Sequence, residues 1–110
     1  MNQKKLNGFR RLYFDLSKRR YPNHIVHDPK TSPEHRRLVS EICEWATQMG
    51  FTFYTRVYTK WGEIIDIVIP ELPRPFVEVR HSEEKKVKEY LRDYDDKRIF
   101  VDTRDPYKLL

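Results

Sequence analysis

Leu6, Phe9, Tyr13 and Leu16 recur at i, i+3, i+7 and i+10, a spacing that predicts an amphipathic helix over residues 5–20 with a basic outer face. Pro22 and Pro29 mark residues 21–31 as loop. A second stripe, Leu38, Ile42, Trp45 and Met49, recurs at i, i+4, i+7 and i+11. Ser32 suits its N-cap, Pro33 its first helical position and Glu34 its first turn, and Gly50 stands where such helices end. At about 100° per residue, Glu34 and Glu41 fall on the margin of that stripe, whereas Glu44 points away.

The pattern then changes. Residues 51–59 are aromatic and β-branched and predict a strand, followed by a turn at Lys60–Glu63. Residues 64–69 are apolar except for Asp66 and predict a buried central strand. After a loop from Pro70 to Pro75, residues 76–80 predict a third strand, with Glu78 and Arg80 opposite Val77 and Val79. Ser82 can cap a helix running to about Asp95, with Val87, Tyr90, Leu91 and Tyr94 as its stripe, and residues 98–103 predict a last strand. The order after the N-terminal segment is α-β-β-β-α-β. A crossover helix between the last two strands implies a right-handed parallel connection, hence a mixed sheet.

Asp66 stands out against this pattern. A lone carboxylate in an apolar strand is costly to bury unless it is paired or bound to a cation. Glu78 lies twelve residues on, again between apolar neighbours, and adjacent strands can bring the two together. Two carboxylates so close repel each other unless a hard divalent cation lies between them, and Mg²⁺ with a phosphate is the natural partner. Arg80 points the same way along its strand as Glu78.

Length bounds the picture: 110 residues make one small domain. With 35% charged residues and no apolar run near the ~20 residues of a spanning helix, a membrane protein is excluded. Fifteen aromatic residues exclude wholesale disorder. The net charge of +5 calls for an anionic partner, and its distribution is uneven. Residues 1–31 hold eight bases (Lys4, Lys5, Arg10, Arg11, Lys18, Arg19, Arg20, Lys30) against two acids, giving +6. The other fourteen bases face fifteen acids, giving −1. This divides the chain into a basic N-terminal arm, 1–31, and a domain, 32–110. The single cysteine, Cys43, forms no internal disulfide and reads as a small core residue. With no apolar leader in residues 1–20, the cytoplasm is the expected compartment.

The element order, with Asp66 on the second strand and Glu78-Val79-Arg80 on the third, resembles the PD-(D/E)XK nuclease superfamily. The resemblance covers about residues 32–103, and its nearest flavour is the small archaeal Holliday-junction resolvases. It implies an α/β, restriction-endonuclease-like αβββαβ core with a four-stranded mixed sheet flanked by helices. It further implies that Asp66 and Glu78 ligate Mg²⁺, with Mn²⁺ as substitute, and that the Val79 carbonyl is a third ligand. A helix glutamate, Glu41 before Glu34, would help position metal or water. Ile65 stands where the family motif has proline, and Arg80 where it has lysine. Arginine stays protonated, so Arg80 can clamp a phosphate but cannot act as a base.

The expectation is a metal-dependent DNA endonuclease that nicks or resolves branched DNA as a homodimer, two copies presenting two sites to two strands. DNA contacts would come from Lys4, Lys5, Arg10, Arg11, Lys18, Arg19 and Arg20, with His81 donating to a phosphate. Other readings remain open. Asp66 and Glu78 fit a structural ion-pair cluster with Arg80 or Arg56, Glu41 fits a solvated helix edge, and the basic helix fits one that docks on its own domain. A catalytically inactive nucleic-acid-binding module on the same fold is the alternative function, and an assembly subunit is a third.

Overall fold

Helix α1 spans Gln3–Tyr13 and helix α2 Pro33–Gln48 in this computed structural model, which describes residues 1–80 and 97–102. The Asn2 side chain caps α1 by accepting from the Lys5 N–H at 2.9 Å, and Arg10 and Arg11 sit at the C-terminal end, where positive charge is favoured. The helix stops seven residues short of the sequence expectation. Phe14 turns extended, buries its ring and makes a bridge to Thr59, which removes it from the helix. Leu16, expected on the stripe, is exposed.

Helix α2 begins as its sequence predicts. The Ser32 hydroxyl accepts from the His35 N–H, Pro33 occupies the first turn, and Glu34 lies in the favourable field there. Gly50, at φ +73, closes it. The Phe51 N–H reaches the Ala46 carbonyl and the Gly50 N–H the Thr47 carbonyl, a Schellman motif.

The strands are β1 (Tyr54–Tyr58), β2 (Ile64–Val68), β3 (Phe76–Arg80) and β4 (Arg98–Asp102). They form one open mixed sheet in the order β1-β2-β3-β4, antiparallel at the first two pairings and parallel at β3–β4. The parallel pairing is the one a crossover connection requires. The expected helix from Ser82, and its stripe, lie outside the described residues.

Helix α2 covers one face of the sheet. Leu38, Val39, Ile42, Cys43 and Ala46 pack there on Ile67, Ile69, Val77, Val79 and Val101. The buried stripe is rotated from the expected one by roughly 60°, because Val39, Cys43 and Ala46 turn inward while Met49 is exposed. The other face buries Leu6 and Phe14 with Tyr54, Val57, Ile65, Val68 and Phe76. Phe9 and Tyr13 of α1 extend it as an aromatic cluster, with Tyr13 edge-on to Phe76 at 5.3 Å. The amphipathic face of α1 is therefore spent on its own sheet.

Residues 20–26 run along the free edge of β1. Asn23 exchanges hydrogen bonds with Phe53, the Val26 N–H donates to the Thr55 hydroxyl, and Arg20 Nε donates to the Arg56 carbonyl at 3.0 Å. An edge strand so covered offers little to a second sheet. Among the described residues no helix is long and apolar enough to cross a membrane.

Candidate active site

Side chains two apart on a strand share a face. Ile65 and Ile67 do not: Ile65 joins the α1-side core and Ile67 the α2-side core. Across the ladder, Tyr54 and Val57, three apart, lie on one face. Both irregularities meet at the position where Arg56 stands opposite Asp66. Thr55 pairs with Ile67 and Val57 with Ile65, and between them Arg56 adopts φ +47. A left-handed backbone costs a non-glycine residue about 1–2 kcal/mol. It re-aims the side chains of β1 at this point.

On the other side of β2, the paired register with β3 is Ile67↔Val77 and Val68↔Phe76 and goes no further. The next donors are met by side chains. The Val79 N–H donates to Asp66 Oδ2 at 2.9 Å, and the Asp66 N–H lies 3.4 Å from Glu78 Oε1. Each carboxylate thus replaces a main-chain acceptor of the partner strand. Beside this parting lies a cleft of about 190 Å³, walled by residues between 26 and 31, the first turns of α2, Arg56 of β1, Ile64 and Asp66 of β2, and Glu78 and Arg80 of β3. Asp28, Asp66, Glu78, Arg56, Arg80, His27 and His35 all line it.

Asp66 is half-buried, and His35 Nε2 stands 3.5 Å from its Oδ2. Glu78 is buried, with Arg80 on its Oε2 at 3.1 Å and Arg98 Nη1 3.8 Å from Oε1. Burial, then the charge of Asp66, push the Glu78 carboxyl up to about 8, with Arg80 and Arg98 pulling the other way. Arg98 is fully buried and grips Glu63 with two hydrogen bonds, at 2.6 and 2.9 Å. Burial alone would raise the Glu63 carboxyl, but hydrogen bonds from Arg98 and Trp61, with the arginine charge, bring it below its ordinary value. A guanidinium on β4 therefore spans β3 to reach the turn before β2, with Glu78 beside it.

The structure brings Asp66, Glu78, Val79 and Arg80 together as expected from their positions on β2 and β3. It does not bring Glu41 or Glu34: both are exposed on α2 and line no part of the cleft. The rotation of the stripe explains this. Glu41 lies roughly 130° from the centre of the buried face, while His35 lies near its centre. His35 is thus the α2 side chain that faces Asp66. Arg98 and Glu63 were also not anticipated; a strand-opening arginine and a turn glutamate look like ordinary surface until β4 is placed beside β3. Cys43 is buried, which pushes its thiol up to about 12 and leaves it no nucleophile.

Of the basic residues, Lys4, Lys5, Arg11, Lys18 and Arg19 are exposed. Arg10 lies over the Tyr54 ring, and Lys18 and Arg20 over the Tyr58 ring at 5.4 and 5.5 Å. His81 lies outside the described residues. Among the described residues, no group of three His, Cys, Asp or Glu side chains is arranged to hold a metal ion. Comparison with protein-family models, curated proteins and solved structures finds no match for this chain.

Proposed function

We propose that the chain is a Mg²⁺-dependent nuclease that hydrolyses phosphodiester bonds in DNA, on a restriction-endonuclease-like core preceded by a basic arm. The observation that carries this is the parting of β2 and β3, which sets Asp66 and Glu78 together in a cleft beside Arg80. The three-strand antiparallel run followed by a parallel β4 supports the same family.

The donor set fits a cation that takes few protein ligands. Mg²⁺ is commonly held by one or two carboxylates and completes its shell with water and substrate phosphate, so it needs no cage of three side chains. Burial first, and then the charge of Asp66, push the Glu78 carboxyl up to about 8, and a cation bound beside it would favour its ionised form. Asp66 and Glu78 would hold the ion, with the Val79 carbonyl as a third oxygen. Bound there, Mg²⁺ supplies a polarised phosphate and a water of lowered pKa. Arg80 stays protonated and neutralises a phosphate oxygen, and the exposed lysines and arginines of the arm attract the backbone beyond the cleft.

The test is cleavage of supercoiled, linear, single-stranded and four-way DNA with Mg²⁺ or Mn²⁺. Asp66→Ala and Glu78→Ala should each lower the rate by more than the roughly 100-fold that removing a group that merely orients a metal ligand can cost. Activity surviving in both would remove the site. Sedimentation with and without four-way DNA would test the homodimer.

The 3.1 Å ion pair between Arg80 and Glu78 favours a second reading, a nucleic-acid-binding module that does not cut. It predicts DNA binding that weakens with salt, no cleavage with either metal, and little effect of Asp66→Ala on affinity.

A further inference from the structure

Two residues other than glycine have left-handed backbones, Asn23 and Arg56, among those described. Asn23 has local reasons: asparagine tolerates that region, and its side chain accepts the Phe53 N–H. Arg56 has none. Glycine is the economical residue at such a position, so an arginine there points to a use for its side chain. That side chain lines the cleft. Among the described residues its one ion pair is with Asp28 at 3.9 Å, between groups that are each about a third exposed (27% and 33%), a contact of little strength. Asp28 does not depend on it: Asp28 is fixed by the Lys30 N–H on its carboxylate and by Thr31 on its carbonyl. The Arg56 backbone is in turn held by Arg20 Nε on its carbonyl.

We infer that Arg56 is a phosphate-binding residue, engaging a backbone phosphate of DNA from the β1 wall of the cleft. Asp28 is the placeholder that the phosphate displaces. Arg56 is an acceptor-free fork suited to two phosphate oxygens, and Arg80 enters the same cleft from β3. The inference rests on the reading of this cleft as a DNA site, and adds a second guanidinium that the family resemblance does not supply.

Glycine at position 56 separates the side chain from the backbone. Binding of a labelled duplex oligonucleotide is measured in EDTA across a salt series, beside thermal melting. Arg56→Gly should melt no lower than wild type, because the left-handed backbone suits glycine. It should bind roughly tenfold more weakly, with the slope of log affinity against log salt reduced by about 0.9, the loss of one phosphate contact. Arg56→Gln should weaken binding alike, Arg56→Lys should keep the slope, and Asp28→Asn should tighten binding. Equal affinity and slope in wild type, Arg56→Gly and Arg56→Gln would overturn the inference. Wild-type protein that binds but does not cut with Mn²⁺ would sink the nuclease alone and leave Arg56 standing. Wild-type protein that cuts, with Arg56→Gly binding and cutting equally well, would sink Arg56 alone. Wild-type protein that binds no DNA would sink both.

Discussion

Strands β2 and β3 behave differently at their two ends. At Ile67–Val77 and Val68–Phe76 they pair through main-chain groups, with all four side chains at most 1% exposed and packed in one or other core. One residue further, at Asp66 and Glu78, two carboxylates take over main-chain donors and the strands part. The first end is held by non-directional apolar burial, which tolerates changes of shape. The second is held by few, directional, mutually repelling groups, each required to be in place because its neighbours are buried. A cleft lies at the second end, where the Asp66 and Glu78 side chains stand in for the main-chain ladder.

If the polar end is as dependent on its partners as its burial implies, its worst substitution should exceed the worst at the apolar end. Arg98→Ala strands Glu63 and Glu78 without the guanidinium that spans them, and should cost about 4 kcal/mol. Ile67→Ala opens a cavity in the α2-side core and should cost about 3 kcal/mol. Urea unfolding of both variants makes the comparison. The reverse order would mean that water reaches Arg98.

The two ends should also differ in their response to pH. Apolar pairs have none. Glu78 binds its proton more tightly folded than unfolded, so between about pH 4.5 and 8 the folded chain holds more protons and stability falls as pH rises. Glu63, held below its ordinary value, acts oppositely: its contribution is present above the unfolded pKa and is lost as pH falls through the folded one. The metal-free chain should therefore be most stable on the acid side of neutrality. Glu78→Gln should flatten the alkaline limb, and added Mn²⁺ should oppose it by favouring the carboxylate. Unfolding midpoints at weakly acidic, neutral and weakly alkaline pH decide this. A wild-type curve that rises toward pH 8 would contradict the burial of Glu78.

The apolar end was legible in the chain and the polar end only partly so. Periodicity located α2, β2, β3 and β4 and the break between them, since each follows from burying a face. Ser32, Pro33 and Gly50 fixed the ends of α2 through local backbone chemistry. Asp66 and Glu78 were visible because an acid in an apolar strand violates its surroundings. Arg56 was not visible, because nothing in its type marks a left-handed backbone. Arg98 was not, because its partner lies thirty-five residues away across β3. The stripe of Leu38, Ile42, Trp45 and Met49 alone puts Glu41 at the margin of the buried face, whereas Val39, Cys43 and Ala46 bring that face round to His35. The early end of α1 depends on a bridge from Phe14 to Thr59, a pairing no local pattern specifies.

Asp66 offers the smallest effect on stability and the finest separation of its two duties. Its Oδ2 accepts the Val79 N–H, a bond that an asparagine carbonyl can keep. Asp66→Asn should therefore change stability by less than about 1 kcal/mol, whereas Asp66→Ala, which leaves a buried N–H without an acceptor, should cost about 2 kcal/mol. Both variants lose the negative charge, so if the proposed metal site holds, neither should cut DNA with Mn²⁺ or be stabilised by it. If Asp66→Asn were as unstable as Asp66→Ala, the charge itself, opposite His35, would be holding the parted strands. If it were stable and still cut DNA, Asp66 would be a structural acceptor only, and the chemistry of the cleft would rest elsewhere.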